Sequence, residues 1–245
     1  MPIKAVLFDF GDTLVDTPSD FDYETLLKQL HRSLVDNGVA VSYEDYQRAH
    51  VEIRDRIYAG NSVREVAFPK RVSEALSRFG YSFEPRSKLM IDATEAFMEP
   101  WIRARTMERG VPSVLRKLGA TYKLGLVSNF SWSSAVWKTL NRFNICEFFD
   151  AVVVSMDVEW RKPSPRIFRK ALKEIRVLAS EAVFVGDELD HDVEGSQRVG
   201  MRAVWLNKES RERNSPIKPD YTINRLEDLP SALQGLESED KRSLE

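Results

Sequence analysis

Ala5-Val6-Leu7-Phe8-Asp9-Phe10-Gly11-Asp12-Thr13-Leu14 joins a short apolar run to a loop bearing two carboxylates. The run is strand-like, too short for an amphipathic helix and apolar at every position, as in a strand buried on both faces. A second passage of the same design stands far downstream, where Ala182-Val183-Phe184-Val185 leads into Gly186-Asp187-Glu188-Leu189-Asp190-His191-Asp192. In an open α/β sheet the ligand site lies outside the carboxyl ends of the strands, so two such loops can converge there despite their separation in sequence. Converging carboxylates are what a nucleophile and a divalent-cation site require.

The intervening chain divides in two. Residues 18–105 carry helical patterning and little strand signal. Leu26, Leu27, Leu30 and Leu34 fall on one helix face with Gly38 as terminator, and Ser42-Tyr43-Glu44-Asp45 opens a second helix with a capping pattern. Two more helices are predicted around 63–79 and 85–101, separated by Gly80-Tyr81-Ser82. From about Gly110 the pattern alternates. Helices are predicted over 112–118, over 131–143, near Pro165 onward and from about Asp192. Strands are predicted at Lys123-Leu124-Gly125-Leu126-Val127, Ala151-Val152-Val153-Val154, Ala182 to Val185, and Ala203-Val204-Trp205-Leu206. Near-continuous apolar strands between amphipathic helices specify a doubly wound parallel α/β sheet covered on both faces. A discontinuous core, 1–17 and 106–236, is therefore expected around a helical insert, 18–105. The stretch 237–245 is too charged to pack and is expected to fray.

Composition narrows the partners. With 245 residues, 42% of them hydrophobic, the chain suffices for one core and a smaller accessory unit. Lys plus Arg at 36 nearly balance Asp plus Glu at 38, and no long basic stretch occurs, which argues against nucleic acid or an anionic membrane as partner. The first apolar run passes straight into Asp9, unlike a signal peptide, and the single cysteine, Cys146, cannot form an intramolecular disulfide. A reducing, cytoplasmic location is expected, with Cys146 a small hydrophobe rather than a catalytic thiol.

Four polar groups fall at predicted strand ends: Asp9, Ser128-Asn129, Lys162 and Asp187. Each alone reads as a cap or a turn. Together, in this order, they supply a nucleophilic carboxylate, a hydroxyl, a cation and a second carboxylate at one end of one sheet.

Asp9-Phe10-Gly11-Asp12-Thr13-Leu14, Leu126-Val127-Ser128-Asn129, Arg161-Lys162-Pro163-Ser164-Pro165-Arg166-Ile167-Phe168, and Val185-Gly186-Asp187 through Asp192 with Val199-Gly200-Met201 resemble the four motifs of the haloacid dehalogenase-like hydrolase superfamily. The resemblance spans nearly the whole chain and points to the branch with a helical cap inserted after the first motif. It implies a Rossmann-like core and a phosphomonoester hydrolase, with Asp9 forming an aspartyl-phosphate. Ser128, Asn129 and Lys162 would hold phosphoryl oxygens. Mg²⁺ is the cofactor implied, held by Asp9, the Gly11 backbone carbonyl and Asp187, while Asp192 would hold a metal-bound water or orient Lys162. Glu188, Asp190 and His191 are read as solvated groups, since Mg²⁺ prefers oxygen to imidazole. The partner implied is a small phosphorylated metabolite, and a monomer or weak dimer is expected.

One position departs from the pattern. Phosphatases of the superfamily usually carry a general acid-base Asp two residues after the nucleophile, and here Gly11 stands there with the acid moved to Asp12. Asp12 either substitutes as acid-base or tethers the loop leading to the cap. The departure keeps two alternatives open: a metal-independent 2-haloacid dehalogenase, whose first motif also lacks the second Asp, and a low-activity binding or regulatory protein of the same fold. The acids around Asp187 favour the phosphatase, because that much negative charge makes sense chiefly around a cation. Trp132, Arg54, Arg56 and Arg64 are weighed as substrate contacts, with packing and surface solvation the stronger reading.

Overall fold

A computed structural model describes residues 2–60, 62–210, 212 and 215–242. β1 (Ala5–Phe8) is buried along its whole length, as its uninterrupted apolar sequence requires. It lies between β2 (Lys123–Ser128) and β4 (Ala182–Gly186), both parallel to it, with Phe8 opposite Leu126 on one side and Val185 on the other. β3 (Ala151–Val154) flanks β2, β5 (Arg202–Leu206) flanks β4, and β6 (Tyr221–Ile223) closes the far edge, giving the order β3-β2-β1-β4-β5-β6. The chain direction across the sheet reverses at β1, so the crevice at the carboxyl ends of β1, β2 and β4 is where a ligand site belongs. The first five strands match the sequence reading. β6 escaped it because the strand is three residues long with two exposed side chains.

The insert folds as four helices, α1 (Tyr23–Asp36), α2 (Tyr43–Tyr58), α3 (Phe68–Ser77) and α4 (Lys88–Ala104). Leu26, Leu27, Leu30 and Leu34 are the buried face of α1, and Gly38 takes φ +91° beyond its end, a left-handed conformation that favours glycine. Ser42 caps α2 by accepting from the Asp45 N–H at 3.2 Å. The helix expected over 63–79 begins only at Phe68. The preceding residues are spent on the core instead: Glu65 N–H donates to the Glu159 carbonyl at 3.1 Å, and the Val63 carbonyl accepts from Arg161 N–H at 2.8 Å. Pro69, lacking an N–H, then sits in the first turn of α3, where no donor is needed.

α5 (Val111–Gly119), α6 (Ser133–Arg142) and the four-residue α7 (Ser155–Val158) follow in the core, then α8 (Pro165–Ile175), a π-helical turn at Leu189–Glu194, α9 (Gly195–Gln197) and α10 (Leu229–Arg242). Alternation along β1 divides the core between faces: Val6 and Phe8 pack with α5, α6 and α10, while Ala5 and Leu7 pack with α8. The helix expected from about Asp192 is replaced by the π turn and the short α9. The frayed tail expected from 237 is corrected in part, because α10 continues to Arg242, carried by the burial of Leu229, Leu233 and Leu236; residues 243–245 lie outside the described residues. Cys146 packs half-buried against the core.

The insert's own core gathers Leu30, Tyr46, Ile53, Leu76, Met90 and Phe97, and it reaches Trp132 and Ala135 at the start of α6. His50 lies inside it, 2% exposed, with its ring nitrogens 3.3 Å from the Tyr23 and Tyr46 hydroxyls. Burial, reinforced by Arg71 and Arg54, pushes its pKa down to about 4. Between the ordinary histidine value of roughly 6.5 and 4, only the unfolded chain takes up the proton, so stability falls as the pH drops through this window. Urea denaturation should show the wild type losing about 2 kcal/mol more than His50→Gln between pH 7 and pH 4.5. A stability difference independent of pH would mean that His50 does not stay neutral in the fold.

Candidate active site

The carboxyl end of β1 delivers Asp9, whose N–H donates to the Val185 carbonyl at 2.8 Å and so fixes it between the two neighbouring strands. Lys162 enters from the turn before α8. Its side chain is 3% exposed, and its ammonium donates to Asp9 and, at 2.7 Å, to Asp192 Oδ1. Asn129, at the end of β2, holds the lysine backbone from both sides: Oδ1 accepts from Lys162 N–H at 2.7 Å and Nδ2 donates to its carbonyl at 3.1 Å. The Asn129 side chain is thus engaged in positioning Lys162. Ser128, buried beside it, lines the same cleft of about 340 Å³ as Asp9, Lys162 and Asp187.

The π turn after β4 shapes the acidic side. Asp192 Oδ2 accepts from the Glu188 N–H at 3.1 Å, folding the carboxylate back over the strand end while Oδ1 faces Lys162. A Cβ on Gly186 would overlap that carboxylate, which explains a glycine there. Asp187 is fixed by Thr13, whose hydroxyl donates to Oδ1 at 3.3 Å, and by the Trp205 indole on its carbonyl at 2.9 Å. One carboxylate oxygen from each of Asp9, Asp187 and Asp192 lies within 4.8 Å of the others. Burial first, then the neighbouring carboxylates, push Asp9 and Asp187 up to about 7, with Lys162 opposing the rise. Burial works against charge on Lys162 as well, but Asp192 and Asp9 outweigh it and raise its pKa. Without an added cation the cluster is over-supplied with negative charge, and its all-oxygen donor set fits a hard divalent ion.

The loop after Asp9 curls back on itself. Phe10 carbonyl accepts from Leu14 and Val15, and Asp12 N–H donates to the Val15 carbonyl at 2.7 Å. Asp12 sits at φ +55° and its Oδ1 accepts from Thr17 N–H at 3.1 Å, tying it to the first linker of the insert, though it still borders the cleft. Gly11 has no positive φ, and a Cβ there would meet nothing within 4 Å. Its lack of a side chain is not imposed by space.

His191 pairs with Glu188 at the rim and Asp190 is exposed, so neither joins the cluster. Trp132 is 8% exposed and donates to Glu95 at 2.9 Å, a packing role. Arg54, Arg56 and Arg64 pair with Asp55, Glu74 and Glu159 on the surface. Two cleft arginines escaped the sequence reading, Arg105 and Arg161. Arg161 adjoins Lys162 in the third motif, a signal that was available; Arg105 closes a helix of the insert and carries no such marker.

The chain belongs to the haloacid dehalogenase-like hydrolase family, whose model matches residues 6–206. Over 241 residues it is 31% identical to the glyceraldehyde 3-phosphate phosphatase of Methanopyrus kandleri, covering 96% of this chain and 98% of that protein. Among solved structures, a 2-haloacid dehalogenase from Pseudomonas syringae superposes with a TM-score of 0.75 at 26% identity, covering 96% of this chain and 99% of that one. A HAD phosphatase from Thermococcus onnurineus superposes with a TM-score of 0.65, also at 26% identity, covering 94% and 98%.

The open space at Gly11 makes the acid-base question experimental. If a missing carboxylate limits proton transfer, Gly11→Asp should raise turnover of alkyl phosphates by about tenfold or more and leave aryl phosphates nearly unchanged, because only the poor leaving group needs a proton. If Asp12 is only a tether, Asp12→Asn, which keeps an oxygen to accept from Thr17 N–H, should change turnover of alkyl and aryl phosphates alike and little. A loss confined to alkyl phosphates would instead make Asp12 the acid.

Proposed function

We propose that this chain is a divalent-cation-dependent phosphomonoester hydrolase that works through an aspartyl-phosphate on Asp9. The observation that carries the reading is the cluster of Asp9, Asp187 and Asp192 around a buried lysine, in a chain aligned over nearly its full length with a named phosphatase. Mg²⁺ is the ion proposed, with Asp9, the Gly11 carbonyl and Asp187 as its ligands and Asp192 behind them. When bound, it would offset charge on the phosphoryl oxygens and on the carboxylates.

The chain's own residues supply the rest. Lys162 opposes the protonation of Asp9 that burial favours, and it anchors the carboxylate between β1 and the turn before α8. An Asp9 oxygen attacks phosphorus while the bond to the leaving oxygen breaks, its electron pair departing with the leaving group. Water then attacks the phosphorus of the acyl phosphate, releasing inorganic phosphate and restoring the carboxylate. The Ser128 hydroxyl and the backbone N–H after it donate to the phosphoryl oxygens, and Asn129 acts as a positioning residue for Lys162. Since phosphoryl transfer demands placement and charge neutralisation above all, the exact seating of the lysine matters more than any further reactive group. Residues 18–105 serve as a cap that excludes water, and a small metabolite of about triose phosphate size suits the cleft. A cytoplasmic enzyme, monomeric or weakly dimeric, fits the balanced charge and single cysteine.

The dehalogenase reading draws on Gly11 and on the Pseudomonas syringae neighbour. Phosphate release from an aryl phosphate should require Mg²⁺ and stop with a chelator, and Asp9→Asn should lower kcat by about a thousandfold or more with an unchanged circular dichroism spectrum. Halide release from 2-chloropropionate in the presence of chelator would transfer the assignment to dehalogenation.

A further inference from the structure

Arg105 stands where α4 returns the chain to the sheet, and it lines the same cleft as Asp9, Ser128 and Lys162. The residue is 4% exposed. Its guanidinium is held between two rings, 4.2 Å from the Trp101 centroid and 4.7 Å from that of Phe21. Nε donates to the Trp101 carbonyl at 3.3 Å and Nη1 to the Thr17 hydroxyl, while Nη2 is buried with no partner. Among the described residues no carboxylate comes within ion-pairing distance of it. Burial lowers its pKa to about 10, which Asp12 offsets only from a distance.

A desolvated cation with a vacant donor is costly unless an acceptor arrives to meet it. The phosphoryl group has its own set of donors in Ser128 and Lys162, at the strand ends. Arg105 belongs to the linker of the insert rather than to the strand ends, yet it lines the same cleft, and a fixed guanidinium fork is suited to two oxygens of one anionic group.

We infer that Arg105 is a specificity residue that binds the leaving group, and that the substrate is a small phosphomonoester whose leaving group ends in a second oxyanion, a carboxylate or a phosphate. The inference rests on the hydrolase reading and adds a substrate class to it. It also separates this chain from a strict preference for a triose phosphate, whose leaving group carries no charge.

Three esters test it: glyceraldehyde 3-phosphate, 3-phosphoglycerate with the same skeleton ending in a carboxylate, and propane-1,3-diol bisphosphate. Wild-type kcat/KM should favour one charged ester over the aldehyde by about tenfold or more, and which one distinguishes carboxylate from phosphate. Arg105→Met should erase most of that preference through KM rather than kcat, and Arg105→Lys, which keeps charge but loses the fork, should reduce it several-fold. Equal losses on all three esters, or a wild-type preference for the aldehyde, would overturn the assignment. Calorimetry of the same esters with Asp9→Asn, with and without Arg105→Met, reads the preference without turnover. If no ester were hydrolysed but tight binding of a charged ester disappeared with Arg105, the hydrolase reading would fail and the Arg105 assignment would stand; no binding preference would refute the latter.

Discussion

The ammonium of Lys162, buried between Asp9 and Asp192, is the interaction on which the rest of the site depends. It joins the ends of β1 and β4 to the turn before α8, three segments far apart in sequence. An isolated buried ammonium would be strongly disfavoured, and so would the carboxylates alone, so each makes the others tenable. The arrangement then dictates details around it. Asn129 spends its whole amide on the lysine backbone, Gly186 must lack a Cβ, and the helix after β4 opens into a π turn so that one Asp192 oxygen can cap Glu188 while the other meets the lysine. A π turn at a functional position is a common way to re-aim a single side chain.

The cap is fastened to the same region by a second ionic cluster. Glu65, 8% exposed, accepts from the Ser155 hydroxyl at 2.7 Å and from Arg71 at 2.8 Å, and Arg161 stands 3.8 Å away. The Tyr58 ring receives both guanidinium groups, Arg161 at 4.2 Å and Arg71 at 4.8 Å. Arg161 immediately precedes Lys162, so the insert's position is registered one residue from the central cation. That geometry explains why residues 63–67 are extended: a helix there would have consumed the backbone groups that pair with Glu159 and Arg161.

The sheet was legible because buried parallel strands announce themselves as unbroken apolar runs, and most of the candidate site was legible because Asp9, Asn129 and Asp187 directly follow such runs, with Lys162 placed by its motif rather than by a strand end. What stayed hidden depended on contacts between distant segments. The start of α3 was displaced by pairing with the core, β6 had too few buried residues to show, and α10 outran its charged sequence because three leucines on one face were enough to hold it. Arg105 was invisible for the same reason: nothing in Trp101-Ile102-Arg103-Ala104-Arg105 says which arginine turns inward, yet Arg103 pairs with Glu99 outside and Arg105 is buried.

Gly11 and Asp12 take on further meaning when conformations are compared. The left-handed position, where glycine is least costly, is filled by Asp12, while Gly11 sits where a side chain would fit. Holding a non-glycine residue there costs about 1 kcal/mol, which the hydrogen bond from Thr17 N–H to the Asp12 carboxylate can offset. Thr17 also receives the Arg105 guanidinium through its hydroxyl, and the neighbouring Asp16 and Thr106 exchange backbone hydrogen bonds across the two linkers of the cap, at 2.8 and 3.1 Å. Asp12, Thr17 and Arg105 therefore form a continuous hydrogen-bonded connection from the loop after Asp9 to both linkers of the insert, closing the insert onto the core where Asp16 and Thr106 also pair.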